Sequence, residues 1–392
     1  MRDEKRAEAV DLAADIAALR VEFKARGFYE RPISRMLVEW IIHFAIGISG
    51  LVAFGMAPSW PLRIAATLFS CYGFIGLATL GHTASHNACS DSRAWNRFVL
   101  FLTYPFLVQL SASFWHYTHV VTHHPSPNIV GIDNDCDLRP LFYINQHQQA
   151  NASALRRFYF RIQGFIFPIA LCLNTFNIQR KGWKHVVREL RNPKTRTAFV
   201  WADFACMSAH LLVCLGIPML FFPAKIVVAV YMLWSGLIGI GLFCILAPGH
   251  FPAAAVVLER GQKEESDFYL RQTATTVNFR TGFFGRFMCS GLEYQVEHHL
   301  FPNVCHIHYP KIEPLVRDLC ARHGMPYNML GWPNAIWQSY RVFFFPKRVL
   351  SSVESVRERP LVAPVAHAAH QAGESASDND NANAAAALAR TA

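Results

Sequence analysis

The chain has 392 residues, of which 52% are hydrophobic and only 16% charged, and its formal net charge is +10. This composition argues against two or three soluble domains and is typical of a polytopic membrane protein. Basic residues that face anionic lipid headgroups account for the positive charge, so we expect a membrane and not a nucleic acid as the partner.

Three parts follow one another along the chain. Residues 1–34 are highly charged and predict a cytoplasmic amphipathic helix lying on the membrane surface, because they carry an apolar stripe at helical spacing. The stripe consists of Val10, Leu12, Ile16, Leu19, Val21 and Phe23. Residues 35–350 form the predicted membrane domain. Residues 351–392 are rich in Ala, Ser, Asn and Asp, which predicts a disordered tail.

Four stretches of the membrane domain have close to the ~20 apolar residues that a bilayer requires, namely 37–56, 62–80, 199–222 and 226–246. Short connections pair them into two hairpins. Two further apolar pieces, 98–110 and 158–174, are interrupted by Pro or polar residues and are interpreted as interfacial or re-entrant. The predicted fold is an all-α integral membrane protein with four transmembrane helices in two hairpins and a cytoplasmic histidine-rich cap.

The distribution of Lys and Arg predicts the orientation. Basic residues crowd the N-terminus, the central segment and the region after residue 246, whereas the short connections within the hairpins have few. By the positive-inside rule, both termini and the central segment are cytoplasmic.

The placement of the 18 histidines indicates a metal site. Clusters occur on the side predicted to be cytoplasmic: His82 and His86 in GHTASHN; His116, His119, His123 and His124 in FWHYTHVVTHHPSPN; His250 in APGHFP; His298 and His299 in GLEYQVEHHLFP. On a helix, residues four apart share a face, so each cluster can present several rings to one site. Neutral imidazole is the commonest ligand of first-row transition metals, and this many rings exceed the needs of one ion. The count predicts two metal ions.

Some residues keep two interpretations. Either His116 or His119 completes the second cluster, and Gln295 lies on the same face as His298 and His299. Glu293 and Glu297 are carboxylates that would hold a ligand's outer N–H more readily than bind metal. His306 and His308 are either supporting or interfacial. The remaining histidines stand alone and are interpreted as structural: His43, His147, His185, His210, His323, His367 and His370.

The motifs HTASH, HVVTHH and QVEHH resemble the three histidine boxes of the membrane-bound fatty acid desaturases. The likeness is greatest to the front-end and linoleoyl-CoA desaturase-like branch, through GLEYQVEHHLFPNVCHIHYPKIEPLVRDLCARHG, HHPSPNIVGIDNDCDLRPL and TTVNFRTGFF. It extends over about residues 35–330. The second box has three residues between His119 and His123, where this branch usually has two.

The resemblance implies a non-haem di-iron centre that removes two hydrogens from an acyl chain with O₂ and two electrons. The implied iron ligands are His82, His86, His119, His123, His124, His298 and His299, with His250 as the extra histidine before the third box. Gln295, His116 and Asn128 are implied to line or support the cofactor site, and Trp115 to support the second box. A bacterial inner membrane is the implied location.

Partners follow from the same resemblance. The acyl substrate is an acyl-CoA, an acyl-carrier protein or a phospholipid. Electrons come from a separate protein, a ferredoxin or a cytochrome with its reductase, because the sequence has no His-Pro-Gly-Gly motif of a fused cytochrome domain. Two alternatives stay open. One is an acyl-chain or sphingolipid hydroxylase or desaturase of the same di-iron class. The other, more remote, is a membrane metal transporter, which would need metal-binding groups near the bilayer midplane.

Overall fold

The computed structural model describes residues 2–139, 141–147 and 152–356. One compact unit, Met1–Glu358, contains every element named below, and the second, Arg359–Ala392, lies outside the described residues. Most of the predicted tail is therefore outside them as well. Its first residues are packed, since Val353 and Val356 are buried.

The described residues are mostly helical. The helices are α1 (Arg2–Ala25), α2 (Ile33–Met56), α3 (Trp60–Ser85), α4 (Arg93–Phe101), α5 (Ala112–Trp115), α6 (Ala154–Arg191), α7 (Ala198–Leu211), α8 (Ala224–Leu246), α9 (Gln262–Glu265), α10 (Phe268–Ala274), α11 (Phe283–Cys289), α12 (Gln295–Leu300), α13 (Tyr309–Arg322) and α14 (Trp332–Arg341). π-helical turns continue α4 (Leu102–Leu107), α5 (His116–His123) and α7 (Leu212–Gly216), the last followed by Ile217–Met219. Short 3₁₀ turns occupy Ala247–Gly249, His306–His308 and Glu354–Val356.

Among the described residues, five helices are long and apolar enough to cross a membrane, so the predicted count of four is not confirmed. Four of them correspond to the predicted spans. The fifth is α6, a single helix of 38 residues that includes the piece interpreted as interfacial. Pro168 lies inside α6 without ending it, whereas the sequence interpretation treated such interruptions as breaks.

The other interrupted piece is bent in the structure. The segments Arg93–Leu107 and Ala112–His123 meet at 114°, which is the geometry of a broken span or a re-entrant loop. This bend turns the second histidine cluster back toward the end of α3. His119 of this cluster thus lies beside His82, with 2.9 Å between their Nε2 atoms.

Helices α2 and α3 pack closely because small residues face each other. A Cβ on Gly73 of α3 would lie 2.3 Å from the backbone nitrogen of Gly47 on α2, so a larger side chain would push the helices apart. Ser70 also donates a hydrogen bond to the Gly47 carbonyl at 2.8 Å. Small residues permit such close approach of membrane helices. α3 becomes the central helix, and its C-terminal end carries His82.

Two pairs of short parallel strands depart from the all-α prediction. β1 (Val257–Leu258) pairs with β4 (Val349–Leu350), and β2 (Asn278–Arg280) pairs with β3 (Met329–Gly331). Strands of two or three residues are too short to leave an alternating pattern in the sequence. They fasten the C-terminal segments to the loops around the third histidine box.

Part of the apolar stripe of α1 packs on protein, whereas Val21 is exposed. Leu12, Ile16, Leu19 and Phe23 are buried with residues of α13 and the third box, and the Phe23 ring lies 4.9 Å from that of Phe301. A helix is thus present where the sequence predicts one, and four residues of its apolar stripe contact α13 and the third box.

Candidate metal centre

Eight of the predicted ligands converge at the C-terminal ends of α3 and α8. They form two groups whose candidate ligand atoms lie within 4.8 Å of one another. The five-histidine group consists of His82, His86, His119, His124 and His298, and the three-histidine group of His123, His250 and His299. None of these side chains is more than 9% exposed. The eight predicted rings thus fall into two clusters, each of which could hold a metal ion.

The spacing of the ring nitrogens fits shared coordination. Within the five-histidine group, Nε2 atoms are 2.9 Å apart for His82 and His119, 3.2 Å for His119 and His124, and 3.0 Å for His124 and His298. In the three-histidine group, His250 Nε2 lies 3.2 Å from Nε2 of both His123 and His299. Nitrogens about 2.1 Å from a common metal are about 3.0 to 3.4 Å apart in octahedral or tetrahedral geometry.

A π-helical turn positions the second box. Its i→i+5 hydrogen bond joins the backbone nitrogen of His124 to the His119 carbonyl at 3.0 Å. Because this turn is wider than an α-helical one, residues four and five apart share a face, which places His119, His123 and His124 together. The same turn accommodates the extra residue between His119 and His123. His116 is directed away, is exposed and lies outside both groups, so we remove it from the candidate ligands.

The outer nitrogens of five rings contact hydrogen-bonding groups. The Nδ1 contacts are His119 with Asp135 at 3.0 Å, His123 with Asp133 at 2.9 Å, His299 with Gln272 Oε1 at 2.8 Å, His250 with the Thr275 carbonyl at 3.2 Å, and His298 with the Tyr309 hydroxyl at 3.1 Å. An acceptor at Nδ1 keeps the proton there, so the lone pair of Nε2 points inward. The Trp115 ring stacks on His119 with 4.3 Å between ring centroids.

Two observations show that the donors suit a metal ion. His86 Nε2 is buried and has no hydrogen-bond partner in the described residues, which is costly unless another atom occupies the site. Burial also lowers the pKa of His124, His298 and His299, and lowers the pKa of His86 and His250 to about 3. Rings that stay neutral at pH 7 keep the lone pair that a metal requires.

Two polar residues of the third box, Gln295 and Glu297, are buried and make hydrogen bonds within the protein. Gln295 is buried beside Gly249, and its amide donates to the Leu292 carbonyl at 2.9 Å. Glu297 does not hold a ligand ring; it accepts from Asn278 Nδ2 at 2.8 Å and the Tyr327 hydroxyl at 2.6 Å. It precedes His298 by one position on α12 and so points about 100° away from that ring. Burial raises the pKa of Glu297 to about 7.

Asn128 supports the backbone around His250. Its side-chain amide donates to the carbonyls of His250, Val256 and Thr275 at 3.0 to 3.3 Å. Lys347 holds the same loop, because its buried Nζ donates to the His250 carbonyl at 2.8 Å. Both residues fix the position of His250.

Asp203 is a functional candidate that the sequence analysis missed. Its fully buried carboxylate, on α7, accepts four hydrogen bonds of 2.6 to 3.0 Å at the start of α5, from the hydroxyls of Ser111 and Ser113 and the backbone nitrogens of Ala112 and Ser113. It thereby caps the helix that continues into the second box. The available signal was an acidic residue inside an apolar stretch.

The supporting acidic residues of the second box also carried a signal. Asp133 and Asp135 lie in HHPSPNIVGIDNDCDLRPL, whose acidic positions follow directly on two histidines. By contrast, His43 and His210 bond to the backbone carbonyls of Phe287 and Phe106, respectively, away from both groups.

Comparison with known proteins gives a consistent result. The family model described as fatty acid desaturase matches residues 58–331, more than half of the chain. An sn-1 linoleoyl-lipid 6-desaturase of Synechocystis sp. is 29% identical over 67% of this chain and 74% of its own length. The Delta(8)-fatty-acid desaturase 2 of Arabidopsis thaliana is 24% identical over 83% and 73%, and the human fatty acid desaturase 3 is 25% identical over 74% and 62%.

Proposed function

This chain belongs to the fatty acid desaturase family, whose members are oxidoreductases, and on that premise we propose that it uses O₂ to introduce a C=C bond into an acyl chain at a centre of two iron ions. The observation that carries the proposal is the pair of histidine groups. Five and three inward-facing imidazoles are more than one ion can bind and suffice for two. Bound there, iron would supply the O₂ activation that cleavage of an unactivated C–H bond requires.

The residues of the chain prepare the centre for this chemistry. Asp133, Asp135 and Gln272 hold the rings of His123, His119 and His299 in the tautomer that ligates through Nε2. Burial of all eight rings excludes bulk water, which protects reactive species from side reactions. We assign His82, His86, His119, His124 and His298 to one ion and His123, His250 and His299 to the other.

The substrate and the electron source extend this proposal. The printed names of the relatives include a linoleoyl-lipid desaturase, which favours an acyl lipid over an acyl-CoA or an acyl-carrier protein. The two electrons come from a separate ferredoxin or cytochrome system. We propose that the active site and both termini face the cytoplasm, which the bias of basic residues supports, and that the membrane is a bacterial inner membrane.

The test is double-bond analysis of total acyl chains by gas chromatography–mass spectrometry. Cells that express the wild type with a reducing system are compared with cells that express His298→Ala. We expect an unsaturated species present only with the wild type, and purified wild-type protein that contains about two iron ions per chain. A hydroxylated species instead would assign the chain to the sister chemistry. Full product with His298→Ala would remove this residue from the ligand set.

A further inference from the structure

Desaturation at a buried centre requires a path for protons. In the balanced reaction, –CH₂–CH₂– + O₂ + 2 e⁻ + 2 H⁺ yields –CH=CH– and two H₂O: two C–H bonds and the O–O bond break, and four O–H bonds form. The acyl chain supplies two of the four hydrogens that end in water. The reduced electron-transfer protein supplies the electrons, and solvent must supply the other two hydrogens as protons. This need rests on the function proposed above.

A line of polar contacts leads toward the five-histidine group. Glu39, on the second turn of α2, has a side chain that is 14% exposed, and its Oε2 lies 3.0 Å from Nε2 of His306. The other nitrogen of that ring, Nδ1, lies 3.2 Å from Oγ1 of Thr83. Arg35, one turn before Glu39, is exposed and pairs with Glu39 at 3.1 Å. A single imidazole therefore connects a partly accessible carboxylate to a buried hydroxyl.

Thr83 lines a small cavity beside the histidines. The cavity walls also include His82, His86, His298 and Tyr309. About 10 Å³ within it can hold the centre of a water molecule, which is close to what one water requires. The line of contacts thus ends where a proton acceptor at the metal centre would lie.

We propose that Glu39, His306 and Thr83 form a proton relay that delivers solvent protons to the five-histidine group during turnover. The protonated ring of His306 releases the proton of Nδ1 to Thr83. A flip of the neutral ring then turns its free nitrogen toward Glu39, which takes up a solvent proton and passes it to that nitrogen. The Thr83 hydroxyl passes a proton into the cavity. The three relay residues are not among the eight candidate ligands. Thr83 lies in the first histidine box, and Glu39 and His306 lie outside the boxes.

The charge state of His306 suits this role. Burial disfavours the imidazolium, but hydrogen bonding to Cys305 and Glu39 outweighs it and raises the pKa of His306 to about 9. An imidazolium has an N–H on each side, one for Glu39 and one for Thr83. The charged or titratable groups around His306 are Glu39 with Arg35 on α2, Cys305 in its own turn and, acting electrostatically, His43, His82 and Glu293.

Paired substitutions at Thr83 test the relay in the iron-loaded enzyme. Thr83→Val removes the hydroxyl at nearly constant volume, whereas Thr83→Ser keeps it. We expect Thr83→Val and Glu39→Gln to lower kcat at least tenfold, with unchanged KM and iron content and a larger solvent deuterium isotope effect. Thr83→Ser should stay within about twofold of the wild type. His308→Gln, which changes a nearby histidine outside the relay, is the control.

A second measurement does not depend on turnover. In the iron-free protein with ¹⁵N-labelled histidine, the His306 signal is assigned by its loss in His306→Gln and titrated by NMR. Glu39→Gln should lower the protonation constant of His306 at least tenfold. An unchanged protonation constant of His306 in Glu39→Gln overturns the relay. A wild-type kcat in Thr83→Val also overturns it. So does a loss of iron in the relay variants that is proportional to their loss of rate. If the wild type itself forms no unsaturated product, the proposed function fails while this titration still reports on the pair.

Discussion

The two histidine groups differ in how completely the chain supports them. Each ring of the three-histidine group has an acceptor at Nδ1, provided by Asp133, Thr275 or Gln272. In the five-histidine group, Nδ1 of His124 is buried and has no partner among the described residues. In the three-histidine group every ring is oriented by an acceptor, but the loss of one ring leaves only two. The five-histidine group has more rings, but not all of them have a partner at Nδ1. We expect metal affinity in the five-histidine group to depend mainly on the number of rings. In the three-histidine group we expect it to depend mainly on how firmly each ring is oriented.

The largest effect is expected from His299→Ala, because it leaves the three-histidine group with two rings. Turnover should fall at least about 100-fold, and about half of the iron should be lost. Iron analysis of the purified protein and product formation measure this. His116→Ala is the matched control from the second box, since that ring is exposed and should leave both quantities unchanged. Full iron content in His299→Ala would remove the distinction between the groups.

Asp203→Ala should affect both groups, because the helix that Asp203 caps carries ligands of each. The change leaves the buried hydroxyls of Ser111 and Ser113 without their acceptor, at a cost of about 1–3 kcal/mol for each unsatisfied group. We expect a lower thermal midpoint and loss of iron from both sites. Asp203→Asn keeps one oxygen acceptor and should be intermediate, and Asp318→Asn is an exposed control. Iron loss confined to one group would contradict the capping role.

Removing one outer contact from each group compares their support directly. Gln272→Leu should weaken metal binding at the three-histidine group about 10- to 100-fold, the usual effect of losing such a partner. Tyr309→Phe should have a smaller effect, because four other rings remain in the five-histidine group. Competition with a chelator measures both affinities. Equal losses of metal affinity in the two variants would show that additional rings do not compensate for a lost outer contact.

The smallest effect is expected on the iron-free protein, where only the outer contacts hold the rings. Backbone hydrogen exchange should increase more around His86, at the end of α3, than around His299, whose ring is held by Gln272. Exchange measured by mass spectrometry before and after chelation shows the difference. A uniform increase would mean that the outer contacts do not order the three-histidine group.

Much of the site was predictable from local spacing. The three boxes contain seven of the eight converging rings, because ligands that lie four or five residues apart on one helical turn leave a pattern in the sequence. His250 has no histidine neighbour, and its position after a predicted span and the family resemblance identified it. The same spacing did not separate His116 from His119, since an α-helical and a π-helical turn place different residues on one face. Nor did it show that α6 is one continuous helix through Pro168.

The sequence alone determined which residues have the chemistry for a metal centre, since imidazole is recognised by residue type and its clustering is local. Only the tertiary structure decided how those rings divide into two groups and what holds them. Gln272 lies 27 positions before His299, and Asp203 lies 92 positions after Ser111. A hydrogen bond requires about 3 Å in space and no particular separation along the chain, so such partners leave no periodic trace. The relay from Glu39 to His306, 267 positions apart, was outside the reach of the sequence for the same reason.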